Sequence, residues 1–175
     1  RLEALGARFA QGDVLEPASL VPALDRVSVV VHLAGRTIAP TYDAFAEVNE
    51  RGVANLAAAC AATPDPPALV VVSSLAAAGP SRPGQLLTEA DPCEPVSHYG
   101  RSKLAGEQAA RQWAAEVPIS IIRPPAVFGP GDRLGLYLVR SIAKSGLHFV
   151  HRPGLPLSLV HVDDLCRAVL LVVRH

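Results

Sequence analysis

The run Val27-Ser-Val-Val-Val-His-Leu-Ala34 is a short apolar stretch followed directly by glycine, and it sets the fold class. A continuous apolar run of this length is typical of a strand buried on both faces of a parallel sheet. Similar runs recur along the chain, and Ala-rich segments of helical periodicity separate them. The predicted strands are Ala7–Ala10, Val27–Ala34, Ala68–Ser73 and Pro118–Arg123, and the predicted helices are Pro17–Leu24, Tyr42–Ala62 and His98–Glu116. This alternation predicts an α/β protein with a doubly wound parallel sheet.

The C-terminal part of the chain continues with further short elements. The pattern predicts a helix from Leu134 to about Lys144, extended pieces around Leu147–Val150 and Leu157–Val160, and a terminal helix after Val162. Two stretches rich in Pro and Gly, Gly79–Pro95 and Pro124–Gly131, follow the ends of predicted strands. Open α/β sheets place their ligand-binding loops at such ends, so we interpret both stretches as loops over a site.

The composition fits a globular protein with balanced charge. Half of the 175 residues are hydrophobic, 18% are charged, and 16 Lys and Arg offset 16 Asp and Glu. Since no block of like charges occurs, nothing indicates a nucleic-acid groove or an anionic membrane surface as a partner. The longest apolar runs are too short to cross a bilayer, and the chain does not open with the layout of a signal peptide.

The cysteines and histidines form no pattern of metal ligands. The cysteines are Cys60, Cys93 and Cys166. An odd number of widely spaced cysteines is typical of reduced thiols in a cytoplasmic protein rather than of a disulfide framework. His148, His151 and His161 lie near one another, but the intervening Pro and Gly favour loop and strand-end positions over a metal site. The sequence therefore predicts a cytoplasmic protein without a bound metal.

A tyrosine and a lysine stand four residues apart in the run Ser97-His-Tyr-Gly-Arg-Ser-Lys103. One turn of helix presents Tyr99 and Lys103 on the same face. An ammonium beside a phenol favours the phenolate, which would suit Tyr99 to proton transfer. The chain has 14 Arg but only 2 Lys, so a chance pairing of this kind is rare. For the motif alone, a surface helix with an incidental Tyr and Lys remains an equal alternative.

Seven short motifs occur along the chain in an order that resembles the extended short-chain dehydrogenase/reductase family, which includes NAD-dependent epimerases, dehydratases and hydroxysteroid dehydrogenases. They are Gly12-Asp13 after a strand, Val31-His-Leu-Ala34, Asn49 with Gly52 and Asn55, Ser73-Ser74, Tyr99-x-x-x-Lys103, Arg123-Pro-Pro-x-Val-x-Gly-Pro130, and Val160-His-Val-Asp-Asp164. Most of them are weak singly, but their common order and predicted contexts make the set specific. The resemblance covers nearly the whole chain and implies a Rossmann-like sheet that binds NAD or NADP.

The resemblance implies four catalytic residues, Ser74, Tyr99, Lys103 and Asn49. Tyr99 would exchange a proton with the substrate oxygen, and the hydroxyl of Ser74 would hydrogen-bond that oxygen. Lys103 would tune Tyr99 and also donate to the ribose hydroxyls of the nicotinamide half, while Asn49 would stabilise the site. Simpler interpretations stay open. Ser74 would instead cap the strand end while Ser73 faces the site, and Asn49 would instead face solvent.

The resemblance also implies a set of residues that contact the dinucleotide. They are Asp13, Val14, Leu33, Ala34, Gly35, Tyr99, Lys103, Pro124 and Val127. Asp13 would receive the adenine end, although Gly-Asp after a strand is also an ordinary turn. Ala34 and Gly35 are small enough to let a cofactor approach the backbone, and a tight turn explains them nearly as well. Pro124 would stiffen a loop against the nicotinamide ring.

Two parts of the family pattern have no counterpart in this sequence. In the family, a Gly-rich turn after the first strand seats the pyrophosphate, and a residue after the second strand selects NAD or NADP. Residues 1–7 resemble the tail of a helix that leads into the third strand, so we expect a missing strand-helix-strand unit of roughly 30 residues or more. Residues 1–133 would then be a partial dinucleotide-binding domain, and residues 134–175 the start of a substrate-binding lobe packed on it. We expect this fragment alone to be inactive and to bind dinucleotide weakly or not at all.

The residues after the Ser strand bear on the substrate. Dehydratases of the family carry an acidic pair just after the catalytic hydroxyl residue, where this chain has Leu75 and Ala76. The apolar run from Ser74 to Pro80 resembles the hydroxysteroid dehydrogenase branch, which implies reversible hydride transfer at a secondary alcohol or ketone of a small molecule. Nucleotide-sugar epimerisation is the second alternative, and a noncatalytic dinucleotide-binding protein is an alternative of another class. The helix that carries Tyr99 often packs against its twin in the family, which implies a homodimer.

Overall fold

The computed structural model describes residues 2–82, 84–146 and 157–174 of the chain. The chain is divided into two compact units, Arg1–Arg123 and Pro124–His175. The functional division into residues 1–133 and 134–175 stays a prediction. The extended piece predicted at Leu147–Val150 lies outside the described residues.

The first unit contains a parallel sheet of three strands in the order β1-β2-β3. The strands are β1 (Val29–His32), β2 (Ala68–Val72) and β3 (Ile119–Ile122). They consist mainly of β-branched residues, which suit a pleated and buried surface. Each lies inside a predicted strand. Strand β2 begins at the predicted residue, and the other strand ends fall short of the prediction by one or two residues. The predicted parallel α/β class is confirmed.

Helical segments precede β1 and connect the three strands. They are a 3₁₀ turn (Glu3–Leu5), α1 (Pro17–Leu24), α2 (Tyr42–Ala46), a π-helical turn (Glu47–Arg51), α3 (Gly52–Ala61), a second 3₁₀ turn (Leu75–Ala77) and α4 (His98–Arg111). The single helix predicted for Tyr42–Ala62 is therefore interrupted by the π-helical turn. The helix predicted for His98–Glu116 ends at Arg111, and the residues that follow form turns.

The core of this unit lies between the sheet and helices α1, α3 and α4. Its buried residues are Leu20, Leu24, Val53, Leu56, Ala57, Cys60, Leu69, Val71, Ala110 and Val117. The sheet contributes Leu69 and Val71, both at most 1% exposed. Full burial of a Val or Leu side chain contributes about 1.5–3 kcal/mol, so this apolar layer fixes α4 against the strands.

The prediction of a strand at Ala7–Ala10 was wrong. These four residues are exposed and have no strand conformation. In the described part of the chain, β1 pairs only with β2, and no strand lies where residues 7–10 would find a partner. A strand's amide and carbonyl groups need such a partner, so the local apolar pattern was not sufficient.

The second unit contains a two-stranded parallel sheet, β4 (Ala126–Phe128) with β5 (Leu159–His161). Its helices are α5 (Arg133–Ser145) and α6 (Val162–Arg174), close to their predicted positions. The loop predicted for Pro124–Gly131 was wrong in part, because β4 lies inside it. Flanking Pro and Gly hid this short strand, whose partner β5 comes much later in the sequence.

Candidate active site

Helix α4 carries both Tyr99 and Lys103. The helix begins after Ser97, whose Oγ accepts a hydrogen bond from the Gly100 amide at 2.9 Å, a standard N-cap. Tyr99 is half-buried, and its ring lies 5.9 Å from that of Phe45 at a tilt of 59°. Lys103 is only 6% exposed. One residue of the pair is therefore partly open to solvent and the other is nearly enclosed.

The ammonium of Lys103 reaches the carboxyl end of β2. Its Nζ donates to the Val72 carbonyl oxygen at 3.0 Å. Burial lowers the pKa of Lys103 from its ordinary value, and the charge of Glu107 opposes this by raising it. Among the described residues, no other acceptor bonds to Nζ, so two of its three N–H groups are available to a ligand.

Asn49 ties the loop after β1 to α4. Its side chain is 1% exposed. Its Oδ1 accepts from the Arg36 amide at 2.7 Å, and its Nδ2 donates to the Arg36 carbonyl and to the Ser102 Oγ, both at 2.9 Å. The alternative of a solvent-facing Asn49 was wrong. A Cβ placed on Gly35 would lie 3.2 Å from Asn49 Oδ1 and 3.8 Å from Lys103 Nζ, so the structure brings these three residues together.

Ser102 extends this network, although it is not among the predicted site residues. It is fully buried, and its hydroxyl donates to the Tyr99 carbonyl at 2.8 Å while accepting from Asn49. A serine that bonds a carbonyl of the preceding helical turn loses no buried hydrogen bond. Asn49 and Ser102 together connect the end of β1 to the helical turn that carries Tyr99.

Ser74 lies beside the first turn of α4. It is half-buried and caps the second 3₁₀ turn, with its Oγ accepting from the Ala76 amide at 3.2 Å. A Cβ on Gly100 would lie 2.2 Å from the Ala76 carbonyl oxygen, so the two turns are in direct contact. Ser73 is 5% exposed, and its Oγ has no partner in the described part of the chain. Capping by Ser74 is therefore observed, on the 3₁₀ turn that contacts the start of α4.

Residues 13 and 14 are held against α3. The carbonyl of Val14 accepts from Asn55 Nδ2 at 2.8 Å. Asp13 is exposed, and its Oδ1 accepts from the Leu15 amide at 2.9 Å, which is the geometry of an ordinary Asx turn. Contact of Asp13 and Val14 with a cofactor stays a prediction.

The remaining predicted cofactor residues fall in two places. Leu33 and Ala34 directly follow β1 and are exposed, Leu33 at 71%. Pro124 and Val127 belong to the second unit, where Pro124 is buried and Val127 lies in β4. Contact of these four residues with a dinucleotide stays a prediction.

Polar side chains form a layer between α4 and the carboxyl ends of the strands. Val71 pairs in register with His32 and with Ile121. Because side chains alternate along a strand, His32, Ser73 and Arg123 share the face of the sheet that carries Val71, which the core covers. Glu107 is fully buried and accepts from Arg123 through Nε–Oε1 at 2.8 Å and Nη2–Oε2 at 2.6 Å. These hydrogen bonds raise the pKa of Arg123 above its ordinary value.

His32 and Glu107 belong to this layer, and neither is among the predicted site residues. Glu107 continues the four-residue spacing of Tyr99 and Lys103 along α4, which is a usable signal for one shared helix face. His32 is a polar residue within an apolar strand run, which also marks it in retrospect. The partner of Glu107 on another element, Arg123, is not visible in the local pattern.

His32 is expected to make folding stability depend on pH. It is 4% exposed, and its Nε2 has no partner within the described residues. Burial, and secondly the charge of Lys103, lower its pKa from 6.5 to about 4. As the pH falls, His32 therefore takes up a proton at a higher pH in the unfolded chain than in the folded one. The stability that this residue contributes is fully present above its unfolded pKa and is lost as the pH falls toward its folded pKa. The loss should reach about 3 kcal/mol between roughly pH 7 and pH 4.

Urea unfolding of the wild type and a His32→Gln variant at several pH values measures this contribution. On acidification from about pH 7 to about pH 4, the free energy of unfolding of His32→Gln should fall by about 3 kcal/mol less than that of the wild type. The exposed His98→Gln variant serves as the control and should follow the wild type. Parallel curves for wild type and His32→Gln would contradict the assignment.

The described ranges of the chain contain neither a candidate metal site nor a candidate membrane-spanning helix. No group of three or more His, Cys, Asp or Glu side chains there is arranged to hold a metal ion. Over those same ranges, no helix has both the length and the apolar character needed to span a membrane.

Known proteins similar to this chain include reductases and epimerases. A ceramide reductase from Caulobacter vibrioides (strain NA1000 / CB15N) is 34% identical over 170 residues, covering 97% of this chain and 48% of that protein. The N-acetyl-alpha-D-glucosaminyl-diphospho-ditrans,octacis-undecaprenol 4-epimerase of Escherichia coli O157:H7 is 32% identical over 140 residues, covering 75% of this chain and 41% of that protein. The chain thus spans about half the length of the curated relatives it matches.

Solved structures similar to this chain have a Rossmann-like fold. RMD from Pseudomonas aeruginosa, complexed with NADPH, has a TM-score of 0.81 at 26% identity, covering 99% of this chain and 68% of that one. DesIV, a dTDP-glucose 4,6-dehydratase from Streptomyces venezuelae solved as a double mutant with NAD bound, has a TM-score of 0.82 at 26% identity, covering 99% and 58%. The Rossmann-like class implied by the sequence motifs is confirmed.

The motifs, the fold and the similar proteins all indicate the same family. The family described as the NAD dependent epimerase/dehydratase family matches residues 1–175. This match and the relative at 34% identity confirm the resemblance drawn from the seven motifs. The chain belongs to the NAD dependent epimerase/dehydratase family.

Proposed function

We propose that the protein is an NAD(P)-dependent oxidoreductase that transfers a hydride reversibly between the cofactor and a secondary alcohol or ketone. The observation that carries this proposal is the buried ammonium of Lys103, one helical turn from the half-buried Tyr99 and beside the exposed backbone of Gly35. A phenol, an ammonium and a serine hydroxyl at one sheet edge are the groups that proton exchange at a carbonyl oxygen requires.

The residues after β1 fit a dinucleotide. Gly35 leaves open the space that a Cβ would fill, at 3.8 Å from Lys103 Nζ and 3.2 Å from Asn49 Oδ1. A ribose edge entering this space would meet N–H donors of Lys103 not engaged by Val72. Asn49 holds the backbone of the loop in place through Arg36. When bound, the dinucleotide supplies the hydride donor or acceptor.

Tyr99, Ser74 and Lys103 divide the proton chemistry among them. In the reducing direction the carbonyl carbon gains a hydride, and Tyr99 gives its phenolic proton to the carbonyl oxygen. Ser74 hydrogen-bonds that oxygen, and the ammonium of Lys103 stabilises the phenolate left on Tyr99. The oxidising direction reverses each step, with Tyr99 taking the proton from the alcohol.

The substrate class in this proposal is an apolar alcohol or ketone, as in the hydroxysteroid dehydrogenase branch. Leu75 and Ala76 stand where a sugar dehydratase carries its acidic pair. The relative named ceramide reductase supports a reductase of this kind.

Nucleotide-sugar epimerisation is the second candidate, and the Escherichia coli relative, named as a 4-epimerase of an undecaprenol-linked sugar, supports epimerisation as the reaction. The deciding experiment assays the full-length protein with NAD(P) against a panel of hydroxysteroids and other secondary alcohols, and in parallel against UDP-hexoses. We expect turnover of the alcohols. Turnover of the UDP-hexoses alone would reject the preferred substrate class, and absence of all turnover with normal dinucleotide binding would favour a noncatalytic binding protein.

The cellular location and the oligomeric state of the enzyme form part of the same proposal. The free thiols Cys60, Cys93 and Cys166 suit the reducing cytoplasm. A homodimer through α4 would follow the habit of the family. The 175-residue chain alone carries no Gly-rich phosphate turn, so it should be inactive, and titration of it with NADH or NADPH should show weak binding by cofactor fluorescence. Tight binding of either cofactor would contradict this part.

A further inference from the structure

The most deeply enclosed ion pair of the first unit lies one helical turn beyond Lys103. Glu107 has no exposed side-chain surface, and both of its carboxylate oxygens accept hydrogen bonds from Arg123, at 2.8 and 2.6 Å. Arg111 lies on the exposed side of the same carboxylate, at a distance of 3.8 Å. The proposed chemistry uses none of these three residues, yet burial of a charged pair is costly and calls for a physical reason.

The spacing of Lys103 and Glu107 permits a salt bridge between them, because residues four apart on a helix are neighbours. Here the ammonium of Lys103 instead donates to the Val72 carbonyl. The fork of Arg123 bonds both oxygens of Glu107, while Lys103 is directed to the sheet edge.

The groups that face Lys103 come from several elements. Glu107 on α4 is an anion, and its charge favours the protonated ammonium. His32 on β1 is neutral near pH 7, because burial lowers its pKa to about 4. Asn49 on the π-helical turn contributes an uncharged amide, and Arg123 at the end of β3 acts through Glu107. Glu107 is therefore the anion in this layer that offsets the burial of Lys103.

We propose that Glu107 and Arg123 are positioning residues for Lys103, in which Glu107 keeps the ammonium protonated and Arg123 prevents it from turning away to pair with Glu107. The pair thus holds a cation at the sheet edge beside Tyr99. For its consequence in catalysis, this inference rests on the proposed function. For the charge and position of Lys103, it does not depend on that function.

Opposite effects of the two partners distinguish this role from simple stabilisation. Glu107→Gln keeps the size of the side chain but removes the anion and leaves the Arg123 charge uncompensated, so Lys103 should lose its proton at a lower pH. Arg123→Met frees the carboxylate for Lys103, which should then lose its proton at a higher pH. The double variant should fall between the two. A merely structural pair would lower stability in both variants without moving the titration in opposite directions.

The direct readout is the titration of Lys103 by NMR in the full-length protein labelled with ¹³C at the lysine side chains. The Lys103 signal is the one that Lys103→Met removes. We expect the midpoint to move to lower pH in Glu107→Gln and to higher pH in Arg123→Met. If Arg123→Met does not fold, Arg123→Lys, which retains the charge, replaces it. The Lys103 midpoint in Arg123→Lys should then lie closer to that of the wild type than the midpoint in Glu107→Gln does. Unchanged midpoints in folded variants, or shifts in the same direction, would overturn the proposal.

The activity readout is the pH profile of kcat/KM. In Glu107→Gln its alkaline limb should move to lower pH by about one unit, since the ammonium is lost earlier. The matched control is Arg111→Gln, which removes the arginine on the exposed side of the carboxylate and should leave the limb in place. A wild-type protein without dinucleotide-dependent turnover would defeat the proposed function, whereas the NMR titration would still decide the inference about Lys103. An unmoved limb in an active, folded Glu107→Gln variant would contradict the catalytic consequence.

Discussion

Replacement of Tyr99 by Phe is expected to lower kcat for hydride transfer by about 10²- to 10⁴-fold, the usual contribution of a positioned general acid or base. The substitution removes only the hydroxyl and leaves a ring that still packs on Phe45. Dinucleotide binding should change little, because Lys103 and the loop at Gly35 are untouched. Steady-state kinetics of the full-length protein with the alcohol substrate, and a fluorescence titration of the same protein with the cofactor, measure the two quantities separately.

Tyr42→Phe provides the matched control. Tyr42 lies on α2, and its hydroxyl donates to Glu50 at 3.3 Å. Loss of that hydroxyl should leave kcat within about twofold, because a hydrogen bond of this kind near the surface contributes little. Full activity in Tyr99→Phe, or equal losses in both variants, would be inconsistent with Tyr99 as the proton carrier.

Replacement of Gly106 by Ala is expected to destabilise the fold by about 2 kcal/mol or more. A Cβ at this position of α4 would lie 2.0 Å from the Asn49 carbonyl oxygen, which is backbone and cannot move away alone. The better helix propensity of Ala offsets about 1 kcal/mol of the clash. Because α4 must retreat from the π-helical turn, the network of Asn49, Ser102 and Tyr99 should also be disturbed.

Urea unfolding with dinucleotide binding as a second readout tests this expectation. Gln108→Ala, at an exposed position of the same helix, is the control and should change stability by no more than about 0.5 kcal/mol. A Gly106→Ala variant as stable as the wild type would show that α4 leaves room for a methyl group beside the π-helical turn, contrary to the close contact at Asn49.

The regular part of the fold could be predicted from local sequence. Strands β1 to β3 are short apolar runs, and α4 begins at a serine that caps it, so local pattern and tertiary packing agree there. The four-residue spacing of Tyr99 and Lys103 also predicts correctly that the two residues share one helix. These features depend only on neighbours a few residues apart.

The errors arose where structure depends on distant partners. Residues 7–10 have strand-like composition but no partner strand in the described part of the chain, and β4, hidden by its flanking Pro and Gly, forms only by pairing with the distant β5. The bond between Glu107 and Arg123 joins a helix to the end of a strand, and no local pattern indicates it. Polar groups at the ends of different strands meet only after the sheet has formed.

The central claim is that Tyr99 and Lys103 serve hydride transfer between a dinucleotide and an alcohol or ketone. The most direct test incubates the full-length protein with a ketosteroid and NADH or NADPH deuterated at the transferable position of the nicotinamide, and analyses the alcohol product by mass spectrometry. We predict one deuterium on the carbinol carbon with the wild type and almost none formed by Tyr99→Phe. Alcohol formed without deuterium, or labelled equally fast by Tyr99→Phe, would contradict the account.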